Sequence, residues 1–87
     1  MDCYSLGVSN FYYTYVLRCV DNNLYIGFSH NLQKRLEKHV KGFVLATKDR
    51  RPVKLVYYEA CSDKVKALER EQYFKTGYGR GFLKRRI

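Results

Sequence analysis

Two tyrosines, Tyr15 and Tyr25, stand ten residues apart in the most aromatic stretch of the chain, and Arg35 and His39 follow at an i, i+4 spacing. A phenol acts as a base in its ionised form only if its pKa, about 10 in free solution, is brought down. Neighbouring cations or a metal act in that direction. Arginine carries a planar fork that matches phosphate, and histidine exchanges protons near neutral pH. One carboxylate, Glu71, falls near the centre of an apolar helical face defined by Ala67, Leu68 and Phe74. An ionised carboxylate there is costly unless compensated. A divalent metal could compensate it, and so could Lys75 one turn on, with the side chain reaching out to solvent. Glu69 falls on the other side, among Lys66 and Tyr73, and reads as an ordinary solvated charge.

Local structure must gather these groups. Residues 11 to 20, FYYTYVLRCV, are aromatic and β-branched, which suits a strand. Asp21, Asn22 and Asn23 read as a turn, and residues 24 to 28 resume the strand pattern. A loop of three residues, 21 to 23, makes cross-strand partners sum to an even number and puts Tyr15 and Tyr25 on one face, whereas a two-residue loop would separate them. Gly27 leaves room for close approach of a ligand or backbone. Residues 30 to 41 carry a helical stripe, Leu32, Leu36 and Val40, with Ser29 or Asn31 to cap it and Gly42 to end it. Arg35 and His39 flank that stripe at the seam between core and solvent, where they either edge a cleft or make packing and backbone contacts. Lys34, Glu37, Lys38 and Lys41 lie opposite.

A basic connector, 43 to 52, stops at Pro52, and residues 53 to 59 read as a third strand. Ser62 suits an N-cap with Asp63 beside it, opening a second helix that runs to about Lys75. Gly77, Gly79 and Gly81 then interrupt, and FLKRRI closes the chain as a short basic helix or tail. The order ββαβα plus a C-terminal element predicts an α+β fold, a three-stranded, mostly antiparallel sheet flanked by helices. Residues 1–10 read as a loose lead-in and 11–87 as a single domain.

The chain has 87 residues, room for one domain, and a net charge of +9 from 17 Lys and Arg against 8 Asp and Glu. Such an imbalance repels itself in the folded state, and nucleic acid is the polyanion best suited to offset it. Cys3, Cys19 and Cys61 form no C-x-x-C pair, so they read as reduced thiols in a reducing compartment. The first ten residues lack the pattern of a signal peptide, and no apolar run approaches the ~20 residues of a membrane span. The expectation is a cytoplasmic protein that avoids membranes.

The ordered set Tyr13-Thr14-Tyr15, then Tyr25-Ile26-Gly27, then Arg35 with His39, then Ala67-Leu68-x-x-Glu71 with Lys75 resembles the GIY-YIG nuclease superfamily from about residue 11 to 87. It is most similar to small stand-alone bacterial members, which are related to the N-terminal domain of the excision-repair nuclease. Each motif alone is weak; their order and spacing make the match specific. The resemblance implies that Tyr15 is the general base acting on water, with Tyr25 supporting it. It implies that Arg35 holds the scissile phosphate, that His39 relays a proton, and that Glu71 is the single carboxylate ligand of Mg2+ or Mn2+. Such an ion keeps waters and takes phosphate oxygens as its other ligands. The implied activity is endonucleolytic hydrolysis of DNA, with RNA not set aside and repair or recombination proteins as candidate partners.

The sequence departs from the family pattern in reading YTY for GIY and in placing Phe28 where the excision-repair nuclease has a lysine. With no separate DNA-binding domain in view, the grip on substrate falls to Lys48, Arg50, Arg51, Lys75, Arg80, Lys84, Arg85 and Arg86, with Tyr78 and Phe82. Such contacts give salt-sensitive, sequence-tolerant binding. Two alternatives stay open: a nucleic-acid-binding domain that cuts little, and an interaction component of a larger assembly.

Overall fold

A computed structural model describes residues 10–87, so the reading of the N-terminal lead-in and of Cys3 lies outside the described residues, Asn10 excepted. Three strands, β1 (Tyr12–Arg18), β2 (Leu24–Ser29) and β3 (Lys54–Cys61), and three helices, α1 (Leu32–Val40), α2 (Lys64–Phe74) and α3 (Gly77–Lys84), follow in the order β1-β2-α1-β3-α2-α3. The sheet runs β2-β1-β3, and both pairings are antiparallel. The aromatic β1 is therefore the central strand, consistent with its run of buried residues from Thr14 to Leu17.

The hairpin loop has three residues, but it sits one residue earlier than the sequence suggests. The Cys19 amide donates to the Asn23 carbonyl at 2.9 Å, closing a loop of residues 20 to 22. Asn22 takes the left-handed conformation (φ 67°), which asparagine tolerates, and Asp21 Oδ1 accepts the Asn23 amide at 3.0 Å. The slip leaves the parity unchanged: Tyr15 faces Gly27, Leu17 faces Tyr25, and the two tyrosines share a face.

Alternation along β1 sends neighbouring residues to opposite sides. The Thr14 hydroxyl donates to the Ala67 carbonyl of α2 at 2.8 Å, while the Tyr15 hydroxyl meets His39 of α1 at 2.7 Å. Helix α1 thus covers one face of the sheet and α2 the other. Val16, Ile26, Phe74 and Leu83 form the core on the α2–α3 side. Burying side chains of this size stabilises by roughly 1.5–3 kcal/mol each.

Several boundaries differ from expectation. Asn31 caps α1, accepting the Lys34 amide at 3.1 Å. Its C-terminus closes with Gly42 at φ 81°, the Phe43 amide donating to the Lys38 carbonyl and the Gly42 amide to that of His39. Asp63 rather than Ser62 caps α2. The three glycines do not interrupt: all lie inside α3, which Thr76 caps by accepting the Gly79 amide at 3.1 Å. At position 79 a Cβ would collide with the Tyr73 carbonyl and stand 2.6 Å from Phe74 Cα. That glycine lets α3 fold back tightly against the end of α2 despite its low helix propensity.

The inward face of α1 is also rotated from the expected stripe. Val40 is 62% exposed, Leu32 and Leu36 are half-buried, and His39 is fully buried. Arg35 and His39 are therefore part of the docking face rather than its flank. A polar residue can hold the buried position because both imidazole nitrogens find partners there.

Candidate active site

The site begins at Tyr15, whose ring fills the space that a side chain at position 27 would need. A Cβ on Gly27 would overlap the Tyr15 ring and hydroxyl, with Cε1 at 2.7 Å. The close approach anticipated at Gly27 is made by this phenol. From the opposite side, His39 Nε2 lies 2.7 Å from the Tyr15 hydroxyl, and His39 Nδ1 lies 2.7 Å from Thr47 Oγ1. The Arg35 Nε–H donates to the Tyr15 oxygen at a longer 3.4 Å. The half-buried Tyr25 completes the cluster, its ring centroid 6.3 Å from that of Tyr15 and 5.2 Å from that of His39.

Burial is the largest influence on the Tyr15 phenol and raises its pKa; the Arg35 hydrogen bond opposes this but does not overcome it. Tyr25 and Glu71 push the same way as burial. In the protein alone, then, the phenol is protonated at neutral pH, contrary to the expectation that its cationic neighbours lower it. Burial and the Arg35 charge hold His39 down at about 4, so the imidazole is neutral at pH 7. Arg35 is stabilised as a cation by the Tyr15 hydrogen bond, against the cost of its partial burial.

Glu71 lies on α2, across the sheet from α1, yet its charge is among those felt by Tyr15. The carboxylate is only 16% exposed, and Lys75 Nζ stands 3.4 Å from Oε2. Both sequence readings of Glu71 thus have a counterpart: it is drawn in beside the core, and it has Lys75 as a partner. Among the described residues, no three His, Cys, Asp or Glu side chains gather in a way that could hold an ion. A site built on Glu71 would therefore draw fewer than three ligands of these types from the described residues. That donor set fits Mg2+ or Mn2+, which can use one or two carboxylates together with waters and substrate phosphate oxygens. A single long ion pair to Lys75 leaves the carboxylate lone pairs available.

The predicted basic grip divides. Arg50 pairs with Asp21 at 3.2 Å. Arg51 donates to the Lys48 and Val40 carbonyls and lies over Gly42, tying the connector to the end of α1. Arg86 donates to the Phe82 carbonyl, with its guanidinium carbon 3.5 Å from the centre of that ring. Lys75 is engaged with Glu71. The side chains of Lys48, Arg80, Lys84 and Arg85 are exposed. Arg80 and Lys84 line a groove with Arg18 beside the hairpin turn.

Three contributors escaped the sequence reading. Thr47 sits in the irregular connector, where no periodicity marks a buried residue. Glu59 and Arg70 form a bidentate pair, with Nε–Oε1 and Nη2–Oε2 both at 2.9 Å, and the Tyr57 hydroxyl adds a third bond at 2.7 Å. The Arg70 guanidinium carbon lies 4.5 to 5.0 Å from the ring centres of Tyr73, Phe74 and Phe82. A signal did exist for Arg70, one helical turn before Phe74 on the wheel. Cys19 is buried and Cys61 half-buried, and both are free thiols.

The sheet and α1 bring two tyrosines, an arginine and a histidine onto one face, and a half-buried glutamate comes from the opposite helix layer. The family model described as "GIY-YIG catalytic domain" matches residues 11–85, and the chain belongs to that family. It is 48% identical over 67 residues to a UPF0213 protein of Pediococcus pentosaceus, covering 76% of this chain and 70% of the relative. A UPF0213 protein of Bacillus pumilus is 46% identical over 66 residues, covering 75% and 67%. Among solved structures, the solution NMR structure of a UPF0213 protein from Bacillus halodurans aligns with a TM-score of 0.55 at 29% identity, covering 84% of this chain and 81% of that one. No helix among the described residues is long and apolar enough to cross a membrane.

Proposed function

We propose that this domain is a metal-dependent endonuclease that hydrolyses DNA phosphodiester bonds through a water activated at Tyr15. The observation that carries the reading is the 2.7 Å contact between the Tyr15 hydroxyl and a neutral His39 nitrogen, with Arg35 donating to the same oxygen. A phenol whose pKa is raised does not have to ionise in order to act as a base. As water attacks phosphorus, its proton passes to the Tyr15 oxygen while the phenolic proton passes to His39 Nε2, so the charge ends on the imidazole. Arg35 offers its fork to the phosphate, and its charge offsets the negative charge developing there. Tyr25, half-buried beside both rings, supports the geometry. Glu71 would hold the divalent ion, which when bound neutralises phosphate charge and favours departure of the 3′-oxygen. Lys48, Arg80, Lys84 and Arg85 supply the electrostatic grip. The setting we assign is cytoplasmic, with repair or recombination proteins as partners.

One observation favours a second reading. Tyr15 is fully buried, so water reaches its oxygen only if the site opens. A domain that binds nucleic acid and cuts little would remain in this state. A cleavage panel with Mg2+, Mn2+ and EDTA on single-stranded, nicked and branched DNA and on RNA separates the two, run with wild type, Glu71→Gln and Tyr15→Phe. Metal-dependent cutting lost in both variants supports the nuclease. Binding without turnover supports the second reading.

A further inference from the structure

Thr47 belongs to none of the motifs read from the sequence, yet it is fully buried and its Oγ1 stands 2.7 Å from His39 Nδ1. A neutral imidazole carries one N–H, so one nitrogen donates and the other accepts. Two proton arrangements satisfy the chain from Tyr15 to Thr47. In the first, the Tyr15 O–H donates to Nε2 and Nδ1–H donates to Thr47 Oγ1. In the second, both bonds run the other way. The first gives the Tyr15 oxygen one donation and one acceptance, the latter from Arg35 Nε–H. The second aims two N–H groups at that oxygen and leaves the phenolic hydrogen with no acceptor among the described residues. A threonine hydroxyl can turn its hydrogen to suit its surroundings. Only the first arrangement leaves a nitrogen lone pair facing Tyr15.

We infer that Thr47 is a positioning residue: its hydroxyl oxygen accepts the Nδ1 proton of His39 and so fixes the tautomer whose Nε2 can take the proton of Tyr15. The catalytic meaning of this rests on the function proposed above; the tautomer itself does not. Without the hydroxyl, an Nδ1–H would be buried with no acceptor, so the first arrangement loses its advantage of a partner for every donor in the chain. The Nε2–H form then becomes populated, and in it transfer from Tyr15 is blocked.

The test uses the full chain labelled with 15N-histidine, in wild type, Thr47→Val and Thr47→Ser forms. Long-range 1H–15N spectra at pH 7 read the tautomer of His39 directly, and thermal melts followed by circular dichroism confirm folding. Wild type and Thr47→Ser are expected in the Nδ1–H form, and Thr47→Val with the Nε2–H form populated beside it. In cleavage assays, Thr47→Val lowers kcat severalfold with KM little changed, and Thr47→Ser restores most of it. Wild type found in the Nε2–H form overturns the inference, as does Thr47→Val that keeps the wild-type tautomer. If wild type fails to cut any substrate, the proposed function fails, and the spectra still decide the role of Thr47.

Discussion

The Tyr15 ring occupies the volume from which Gly27 withholds a side chain, so the third residue of the Tyr25-Ile26-Gly27 motif is a steric requirement of the first tyrosine. The two residues face one another across the β1–β2 ladder. Any Cβ at 27 must displace the ring, and with it the hydroxyl that touches His39.

Gly27→Ala is expected to destabilise the fold by about 1–3 kcal/mol through overpacking and to impair cleavage more than that loss alone explains. Urea unfolding midpoints beside cleavage rates on folded protein check this. A variant of unchanged stability and activity would mean that the ring has another place to go.

Glu71→Gln is expected to lower metal-dependent cleavage by about a hundredfold or more while nucleic-acid affinity in EDTA changes little. Millimolar Mn2+ should raise the melting temperature of wild type and not that of the variant, because only an ion bound to the folded state stabilises it. Equal metal-induced shifts in both proteins would remove Glu71 as the ligand.

Acid should act on this fold in two windows. His39 is held at about 4 by burial and Arg35, below the 6.5 of an unfolded histidine. The unfolded state therefore binds the extra proton first, so stability is full above about pH 6.5 and falls as pH drops toward 4. Replacing His39 with glutamine should flatten the stability curve across that interval, as measured by urea titrations at half-unit steps.

Glu59 answers in a lower window. Burial alone would raise its pKa, but the Arg70 fork and the Tyr57 hydroxyl outweigh burial and leave it below the usual 4.5. Its contribution is present above pH 4.5 and is lost as pH falls through the lower folded value. Arg70→Ala should remove that acid dependence and cost about 2 kcal/mol at pH 7, since the guanidinium also packs on three aromatic rings. Denaturant melts at pH 7 and 3 on both proteins test this.

Arg80→Ala and Lys84→Ala should weaken binding to all sequences alike and reduce the slope of log affinity against log salt by about one each. Arg51→Ala should instead lower stability, because its donors are spent on backbone carbonyls. Fluorescence anisotropy at a series of salt concentrations separates the two classes.

The three-stranded antiparallel sheet with its flanking helices was legible from the order of the elements, and the shared face of Tyr15 and Tyr25 because alternation and loop parity survive a one-residue slip of the turn. Glu71 stood out on the wheel because a charge inside an apolar face is an anomaly. The glycines of α3 misled: propensity argues against a helix there, and the close approach to Tyr73 and Phe74, which requires glycine at 79, is not visible in the local sequence. The inward face of α1 was misjudged because hydrophobicity ranks Val40 above His39, whereas the actual docking uses hydrogen bonds that depend on Tyr15 and Thr47, residues distant in sequence. Thr47 itself carries no local signal, since its burial follows from the path of an irregular connector.

That the innermost residue of α1 is a histidine has a consequence for how the molecule can change. Most enzymes can be hardened by trading a polar core group for a greasy one. Here the same swap would unfasten the helix from the sheet at the point where, on the proposed function, protons travel. Robustness and reactivity are drawn from one pair of bonds, so a lineage that sheds the reaction should also have to find a new way of holding its first helix in place.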